Sequence, residues 1–334
     1  MKKVLVTGAT GFIGKHFVKL LISQQLQIRI LARNRDNVAL LPNTIEVFSG
    51  DLTQSQRLMG VCKDIDTVFH LGGYAHAERE NRGSSNRNHH SINYGGTKNI
   101  LDDAVRENVK RFIFFSSVKA VADCEALIDE SWEQPPQSSY GIAKRESEKL
   151  VIAVGKRVGM HVCVLRPALV YGPGWKGNLA AMLRAINKGL FIPLPDTHNR
   201  RSLISIDDIC HAALLAANHP NANRKIYFVT DSVAYSTYQI YTLMCNALGK
   251  PLPIWHMPLI IFKLLAHIGN TIENITGRRM PFNSDTFYKL FGSAQYDSQL
   301  IQHDLGFKPR FNLASMLPDI IAAYKERGPK NGIN

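Results

Sequence analysis

Short apolar runs, often β-branched, alternate along the first half of the chain with stretches whose apolar positions recur every three or four residues. "KKVLVTG", "QIRILAR", "IEVFSGD", "DTVFHLGG", "KRFIFFSS" and, further on, "HVCVLRPALVYGPG" are the short runs, each closing on small or polar residues. That pattern predicts buried strands. Helical spacing appears in "GKHFVKLLISQQ" and "YGGTKNILDDAVREN", and "SSYGIAKRESEKL" reads as the first turns of a further helix. Strands alternating with helices predict an α/β fold, a doubly wound parallel sheet covered on both faces.

After residue 172 the rhythm breaks into mixed segments rich in Pro, Gly and Asn. These are expected to build a smaller mixed α/β lobe over the carboxyl ends of the strands. The expected division is a first domain of residues 1–171 with 202–230 and a substrate-binding domain of 172–201 with 231–328. Residues 79–90, "RENRGSSNRNHH", read as a surface loop and the tail "KERGPKNGIN" as frayed.

A chain of 334 residues is long enough for two packed units. Hydrophobic content of 45% and charged content of 20% describe an ordinary globular composition. No apolar run is long enough to span a bilayer. The nearest, "MPLIIFKLLAHIG" at 257–269, is interrupted by Lys263 and His267 and reads as a helix of the second lobe, with an interfacial role left open. The opening "MKKVLVTGATGFIG" reads as strand and turn rather than a leader. Five dispersed cysteines without CxxC spacing point to reduced thiols in the cytoplasm and to no metal site. A net charge of +13 attracts anions. No zinc finger, RNA-recognition signature or basic helical arm accompanies it, so an anionic small substrate outranks nucleic acid, and a basic face against acidic lipid stays open.

"TGATGFIG" sets Gly8, Gly11 and Gly14 between a strand and a helix. Such glycines let the backbone turn tightly and approach a pyrophosphate at the helix N-terminus. The flanking strand and helix supply the context that a lone glycine triplet lacks, and they point to a Rossmann-type dinucleotide site. At the end of the second strand, where an NAD-selective fold places an acid, stands Ala32, followed by Arg33 and Arg35. A guanidinium pairs well with a 2′-phosphate, so NADP(H) is favoured and NAD(H) possible. Asp51 in "SGDLT" is placed to hold the adenine amino group.

Tyr140 and Lys144 lie one helical turn apart, on one face. The bland alternative is a solvated face. The chemical one is a phenol made acidic by an ammonium: at about 4 Å and an effective dielectric near 20, the attraction is about 4 kcal/mol. That is nearly three pKa units before desolvation takes some back, and a phenol near neutrality suits general acid–base catalysis.

Taken in order, "TGATGFIG", "GDLT", "FHLGG", "INYGGT", "FFSS", "YGIAK", "RPALVYGPG" and "RRSLISIDDI" resemble the extended short-chain dehydrogenases/reductases, in the branch that modifies nucleotide sugars. "GWKGNLAAMLRAINKGLFIPLP" with "HNRRSLISIDDI" looks like bacterial enzymes of surface-polysaccharide synthesis, often labelled UDP-glucose 4-epimerases. The resemblance implies Tyr140 as acid/base, Lys144 as its partner on the nicotinamide ribose, and Ser117 as the hydroxyl on the reacting oxygen at sugar C4. It implies a cofactor lined by Gly8, Gly11, Phe12, Ile13, Gly14, Arg33, Asp51, Leu52, Leu71, Gly72 and Asn93, with Asn93 also supporting the active-site helix. Asn178 and Arg201 match positions that contact the nucleotide diphosphate. A homodimer through a four-helix interface that includes the helix after Tyr140 is a further expectation.

The function so implied is reduction of a UDP-4-keto-6-deoxy-N-acetylhexosamine with NADPH. The alternatives are a UDP-hexose 4-epimerase with bound NAD and a non-catalytic dinucleotide sensor, which the intact Ser117, Tyr140 and Lys144 argue against. The pattern departs from the epimerases in lacking "VYG" after the serines. It also lacks a late arginine near "YKLFGS", where Lys289 is the substitute at hand. Of the remaining residues, His70 reads as packed or catalytic, His76 as a residue near the sugar, and Glu130 as surface. Trp132 and Trp175 read as packed or stacked on uracil.

Overall fold

A computed structural model describes residues 1–34, 42–74, 88–277 and 280–326. The six expected short runs enter one parallel sheet as β1 (Lys3–Thr7), β2 (Gln27–Ala32), β3 (Glu46–Ser49), β4 (Thr67–His70), β5 (Arg111–Phe115) and β7 (His161–Pro167), and a seventh strand outside those runs, β10 (Lys225–Val229), joins them. Their spatial order is β10-β7-β5-β4-β1-β2-β3. The central strands are buried throughout in β4 and after the first residue in β1 and β5, as their apolar runs require.

Both faces are covered. Helix α1 (Phe12–Ser23) follows β1, α2 (Gly96–Arg106) precedes β5, and α3 (Ser139–Val158) precedes β7. Two apolar clusters result, one around Phe17, Phe69 and Phe115 and the other around Leu5, Phe112 and Phe114. Because β1 has β2 on one side and β4 on the other, the chain reverses its winding there. The crevice outside the carboxyl ends of such strands is where open α/β sheets bind ligands.

The second part adds α4 (Asn178–Asn187), α5 (Ile206–Asn218), α6 (Thr237–Ala247), α7 (Leu259–Thr276), α8 (Ser284–Phe291), α9 (Gln299–Leu305) and α10 (Leu313–Glu326). It also holds a three-stranded sheet in the order β11-β9-β8, from Ala234–Tyr235, Arg201–Ser205 and Leu169–Tyr171. A two-stranded pair joins β12 (Gln295–Tyr296) to β6 (Leu127–Ile128). Sequence chemistry sets the helix ends. Ser138 caps α3 by accepting from Gly141 N, and Gly159, at φ +73°, closes it. Ser236 and Gln239 form a reciprocal capping box on α6.

One expected loop is in part helical. Of residues 79–90, those up to 87 lie outside the described residues, but His89–Gly95 is a π-helix leading directly into α2. Wide turns of this kind are rare and concentrate at functional sites; this one carries Asn93. At the other end of the chain, Lys325 and Glu326 close α10, and the rest of the tail lies outside the described residues.

Candidate active site

The glycine turn is shaped by contacts that only glycine permits. Gly8 has φ +71°, and a Cβ there would sit 2.7 Å from the backbone of Leu71 and Gly72. A Cβ on Gly14 would fall 2.1 Å from the Gly8 carbonyl oxygen. These two glycines therefore hold the end of β1 against the end of β4 and press α1 onto the turn. At Gly11, the exposed N-cap of α1, an added Cβ would meet only the Gly8 oxygen, at 3.1 Å. A pyrophosphate fits such a cradle of exposed amides at a helix start. Phe12 and Ile13 form the first turn of α1 and pack against the core.

The adenine end is built from β2 and the segment after β3. Ala32 is buried and Arg33 exposed. Arg35 lies outside the described residues. Asp51 Oδ1 accepts from Thr53 N at 2.8 Å and Thr53 Oγ1 at 2.7 Å. Burial opposes its ionisation, but those hydrogen bonds and the Arg33 charge hold its carboxyl below the usual range. Leu52 closes the floor: its side chain sits 2.9 Å from where a Cβ of Gly72 or Gly96 would lie, and Asn99 Nδ2 holds its carbonyl at 2.8 Å.

His70, at the end of β4, is packed rather than poised. Its Nδ1 lies 2.7 Å from Thr7 Oγ1 and its Nε2 3.0 Å from Thr97 Oγ1. Thr97 donates its own proton to the Asn93 carbonyl, and Thr7 Oγ1 accepts from Gly72 N at 2.9 Å. The network therefore assigns the proton to Nε2, leaving Nδ1 to accept from Thr7. Burial, with the nearby Lys144 charge, pushes the imidazole pKa down to about 3. The unfolded chain binds a proton below about pH 6.5 that the folded chain refuses until about pH 3, so this residue makes stability fall as pH drops through that window. A His70→Gln variant is expected to flatten the acid limb of a urea-midpoint-against-pH profile; an unchanged limb would count against this origin.

Asn93 is fully buried on the π-helix. Its Oδ1 accepts from Tyr74 N at 2.7 Å and its Nδ2 donates to Tyr74 O at 3.0 Å. The Asn93 carbonyl also accepts from Ser147 Oγ of α3 at 3.2 Å, so the residue ties the strand end to the helix that carries Tyr140. Gly73 marks the meeting point: an added Cβ would lie 2.8 Å from Asn93 Oδ1 and 3.5 Å from Lys144 Nζ.

On α3, Gly141 lets the helix start touch the 117–121 segment, since a Cβ there would be 2.2 Å from the Lys119 carbonyl oxygen. That approach brings Tyr140 near Ser117, whose hydroxyl favours the ionised phenol. The His89 ring stands edge-on to Tyr140, centroids 5.6 Å apart. The expected acidic phenol is overturned. Burial pushes the Tyr140 pKa up, and the Ser117 hydroxyl opposes it only in part. The Lys144 ammonium donates one of its three hydrogens to the Phe115 carbonyl at 2.8 Å and lies 4.7 Å from the Phe114 ring centre. A shared helix face fixes the Cβ positions only; the four-carbon stem of Lys144 leaves its ammonium free to settle on the carbonyl at the end of β5. Burial lowers the Lys144 pKa to about 8, against the pull of Glu148.

Glu148, one further turn along α3, was not singled out from the sequence, nor was its partner. Both are buried. Arg166 of β7 binds Glu148 in bidentate fashion, Nε to Oε1 at 2.9 Å and Nη2 to Oε2 at 2.7 Å, and Ser116 Oγ donates to the same carboxylate. The signal was present as the i, i+4, i+8 series Tyr140, Lys144, Glu148.

The positions expected to meet the diphosphate sit on other elements, α4 and β9. Asn178 is exposed at the first residue of α4. Arg201 opens β9 and donates from Nη1 to the Gly292 carbonyl at 2.8 Å; burial lowers its pKa, while Tyr296 and Asp123 favour its charge. Lys289 is exposed and paired with Asp285 at 2.8 Å, so it already has a carboxylate partner. Glu130 is not a surface group: it is half-buried, its Oε1 accepts from Phe228 N at 2.8 Å, and burial raises its pKa. Trp175 is buried in the core, and Trp132 packs against it with Nε1 donating to Ala122 O at 3.2 Å. Both are packing residues. His76 lies outside the described residues.

A parallel sheet with a glycine cradle at its switch point, and serine, tyrosine and lysine converging at the next strand end, defines a dinucleotide-dependent oxidoreductase fold of the short-chain type. The chain belongs to the NAD dependent epimerase/dehydratase family, whose model matches residues 4–229. A UDP-glucose 4-epimerase of Vibrio cholerae is 31% identical over 92% of this chain and 91% of its own length. An N-acetyl-alpha-D-glucosaminyl-diphospho-ditrans,octacis-undecaprenol 4-epimerase of Escherichia coli O157:H7 is 24% identical over 94% of this chain and 92% of its own. Among solved structures, the UDP-glucose 4-epimerase of Thermotoga maritima with UDP-glucose superposes with a TM-score of 0.77 at 21% identity, covering 97% of this chain and 99% of that one. The fold expectation is met. Family members act with a nicotinamide cofactor, and the residues around the crevice fit one.

Proposed function

We propose that the protein is a nucleotide-sugar oxidoreductase acting at sugar C4, and that its physiological direction is reduction of a UDP-4-keto-6-deoxy-N-acetylhexosamine in surface-polysaccharide assembly. The observation that carries the site assignment is the convergence of Ser117, Tyr140 and Lys144 at the carboxyl end of β5, beside Gly73. When bound, the nicotinamide would supply the hydride to the C4 carbonyl carbon. Tyr140 donates its proton to the C4 oxygen as that oxygen gains charge, and Ser117 hydrogen-bonds the same oxygen. A phenol whose pKa is raised is fully protonated near neutrality, the state a proton donor needs. Lys144 would hold the ribose and keep positive charge beside the site up to its pKa of about 8. The lobe of 172–201 with 231–328 would receive the UDP moiety, with Asn178 and the N–H groups of Arg201 on its diphosphate.

The choice of NADPH rests on the end of β2. Ala32 offers no carboxylate to a ribose hydroxyl, and exposed Arg33 lies close enough to bias Asp51. Arg33→Ala is therefore expected to raise the KM for NADPH about tenfold and leave that for NADH nearly unchanged, the worth of one charge-assisted pair. Equal effects on both coenzymes would remove the 2′-phosphate assignment.

A second reading is a UDP-hexose 4-epimerase with retained NAD, favoured by the name of the Vibrio cholerae relative. It uses the same residues in alternation: oxidation at C4, rotation of the ketone, and return of the hydride to the other face. Heat-denaturing the purified protein and identifying the released dinucleotide separates the two. Stoichiometric NAD, with no NADPH consumed by any 4-keto sugar, would sink the reductase reading.

A further inference from the structure

Helix α7 has two apolar faces, and only one of them is used. Phe262, Ala266 and Gly269 are its buried residues. They seat it on the segment that carries α8: the Phe262 ring lies 6.0 Å from Phe282 and 5.0 Å from Phe291. A Cβ on Gly269 would come within 2.0 Å of the Phe282 carbonyl oxygen, and Asn270 brackets Ser284 with two hydrogen bonds. The helix is thus held firmly from one side. On the other side Ile260, Leu264, Ile268 and Ile275 are each more than half exposed. At 3.6 residues per turn they form one stripe roughly opposite the buried face.

The segment before the helix is apolar and exposed as well. Ile254 is wholly exposed and Trp255 more than half exposed. Met257 N donates to Pro193 O at 3.1 Å, which sets this segment beside the exposed Leu190 and Ile192. Single exposed apolar side chains are ordinary, but a continuous face of this kind marks an interaction surface.

Charge says what covers it. Lys263 and His267 are exposed along one edge of the stripe. Residues 250–289 carry five Lys or Arg against two carboxylates. Glu273 accepts from Met280 N and Asn283 Nδ2, and Asp285 pairs with Lys289, so both carboxylates are engaged within the lobe. The whole chain carries +13, which disfavours a second copy seated on this face. No helix among the described residues is long and apolar enough to cross a membrane. An apolar stripe with a basic edge and an exposed tryptophan, on a helix fixed to its domain, has the make-up of a helix lying in a lipid interface.

We propose that the exposed face of α7, with Ile254 and Trp255, docks the protein on an anionic phospholipid surface. This does not depend on which C4 reaction the site performs. The test is co-sedimentation of the full chain with phosphatidylcholine vesicles, with and without phosphatidylglycerol. The expected result is binding that requires the anionic lipid, weakens with salt, and shifts tryptophan emission to the blue, since Trp255 is exposed whereas Trp132 and Trp175 are packed. The triple variant Ile260→Glu, Leu264→Glu, Ile268→Glu should lose about tenfold or more in vesicle affinity while retaining its circular dichroism and its turnover of a water-soluble substrate. Failure to bind anionic vesicles, or equal binding by the triple variant, would overturn the proposal. So would a dimer, seen by light scattering, that the triple variant abolishes, because the face would then belong to a second copy.

Discussion

Replacing Tyr140 by phenylalanine is expected to lower turnover by about 10²–10⁴-fold, the range for removing a positioned acid or base, while leaving affinity for dinucleotide and nucleotide sugar within a fewfold of the parent. Phenylalanine keeps the ring that meets His89 edge-on and removes only the hydroxyl, the group near Ser117. The loss should therefore fall on kcat, as it does when an interaction exists chiefly in the transition state. Ser117→Ala should cost less, because the proton donor remains and a single hydrogen bond to the reacting oxygen is lost. Single-turnover kinetics with a bound-ligand control separates the two effects. Turnover within threefold of the parent for Tyr140→Phe would exclude proton transfer by this residue and revive the idea of a non-catalytic dinucleotide sensor.

The sheet was legible because its information is local. Each strand of the first half is a short apolar run, and Gly8 and Gly14 are required by contacts a few residues or one strand away. The grouping of Ser117 with Tyr140 came only from the family resemblance, and Gly141 supplies the close approach of the helix start to the segment after β5. What the sequence could not supply was the direction of long side chains. Spacing put Lys144 on the face of Tyr140, but the choice between a phenol and the Phe115 carbonyl depends on where β5 ends. Glu130 misled in the same way, since its partner is the backbone of β10, far along the chain. The start of the π-helix was hidden by composition: "RENRGSSNRNHH" reads as polar loop, and the helical state of His89–Gly95 is held by tertiary bonds from Asn93 to Tyr74 and from Ser147.

Removing the Glu148 carboxylate is expected to have the largest effect on stability. Arg166 and Glu148 are both almost fully buried and bound in bidentate geometry; the guanidinium also lies 5.2 Å from the Phe228 ring centre. Breaking a buried pair from one side strands the other charge, which costs roughly 3–5 kcal/mol. Glu148→Ala should lose about that much by urea denaturation. The double variant Glu148→Leu, Arg166→Met should recover much of it, because no uncompensated charge remains. A second readout ties the pair to the site. Glu148 holds up the Lys144 pKa that burial lowers to about 8. Glu148→Gln, which keeps the shape and loses the charge, should therefore move the alkaline limb of the kcat/KM–pH profile to lower pH. The sign follows from the ammonium being the charged form that the carboxylate stabilises. A variant that loses stability with an unshifted alkaline limb would confine Glu148 to packing, and one that loses neither would mean that the buried pair is not the link between α3 and β7.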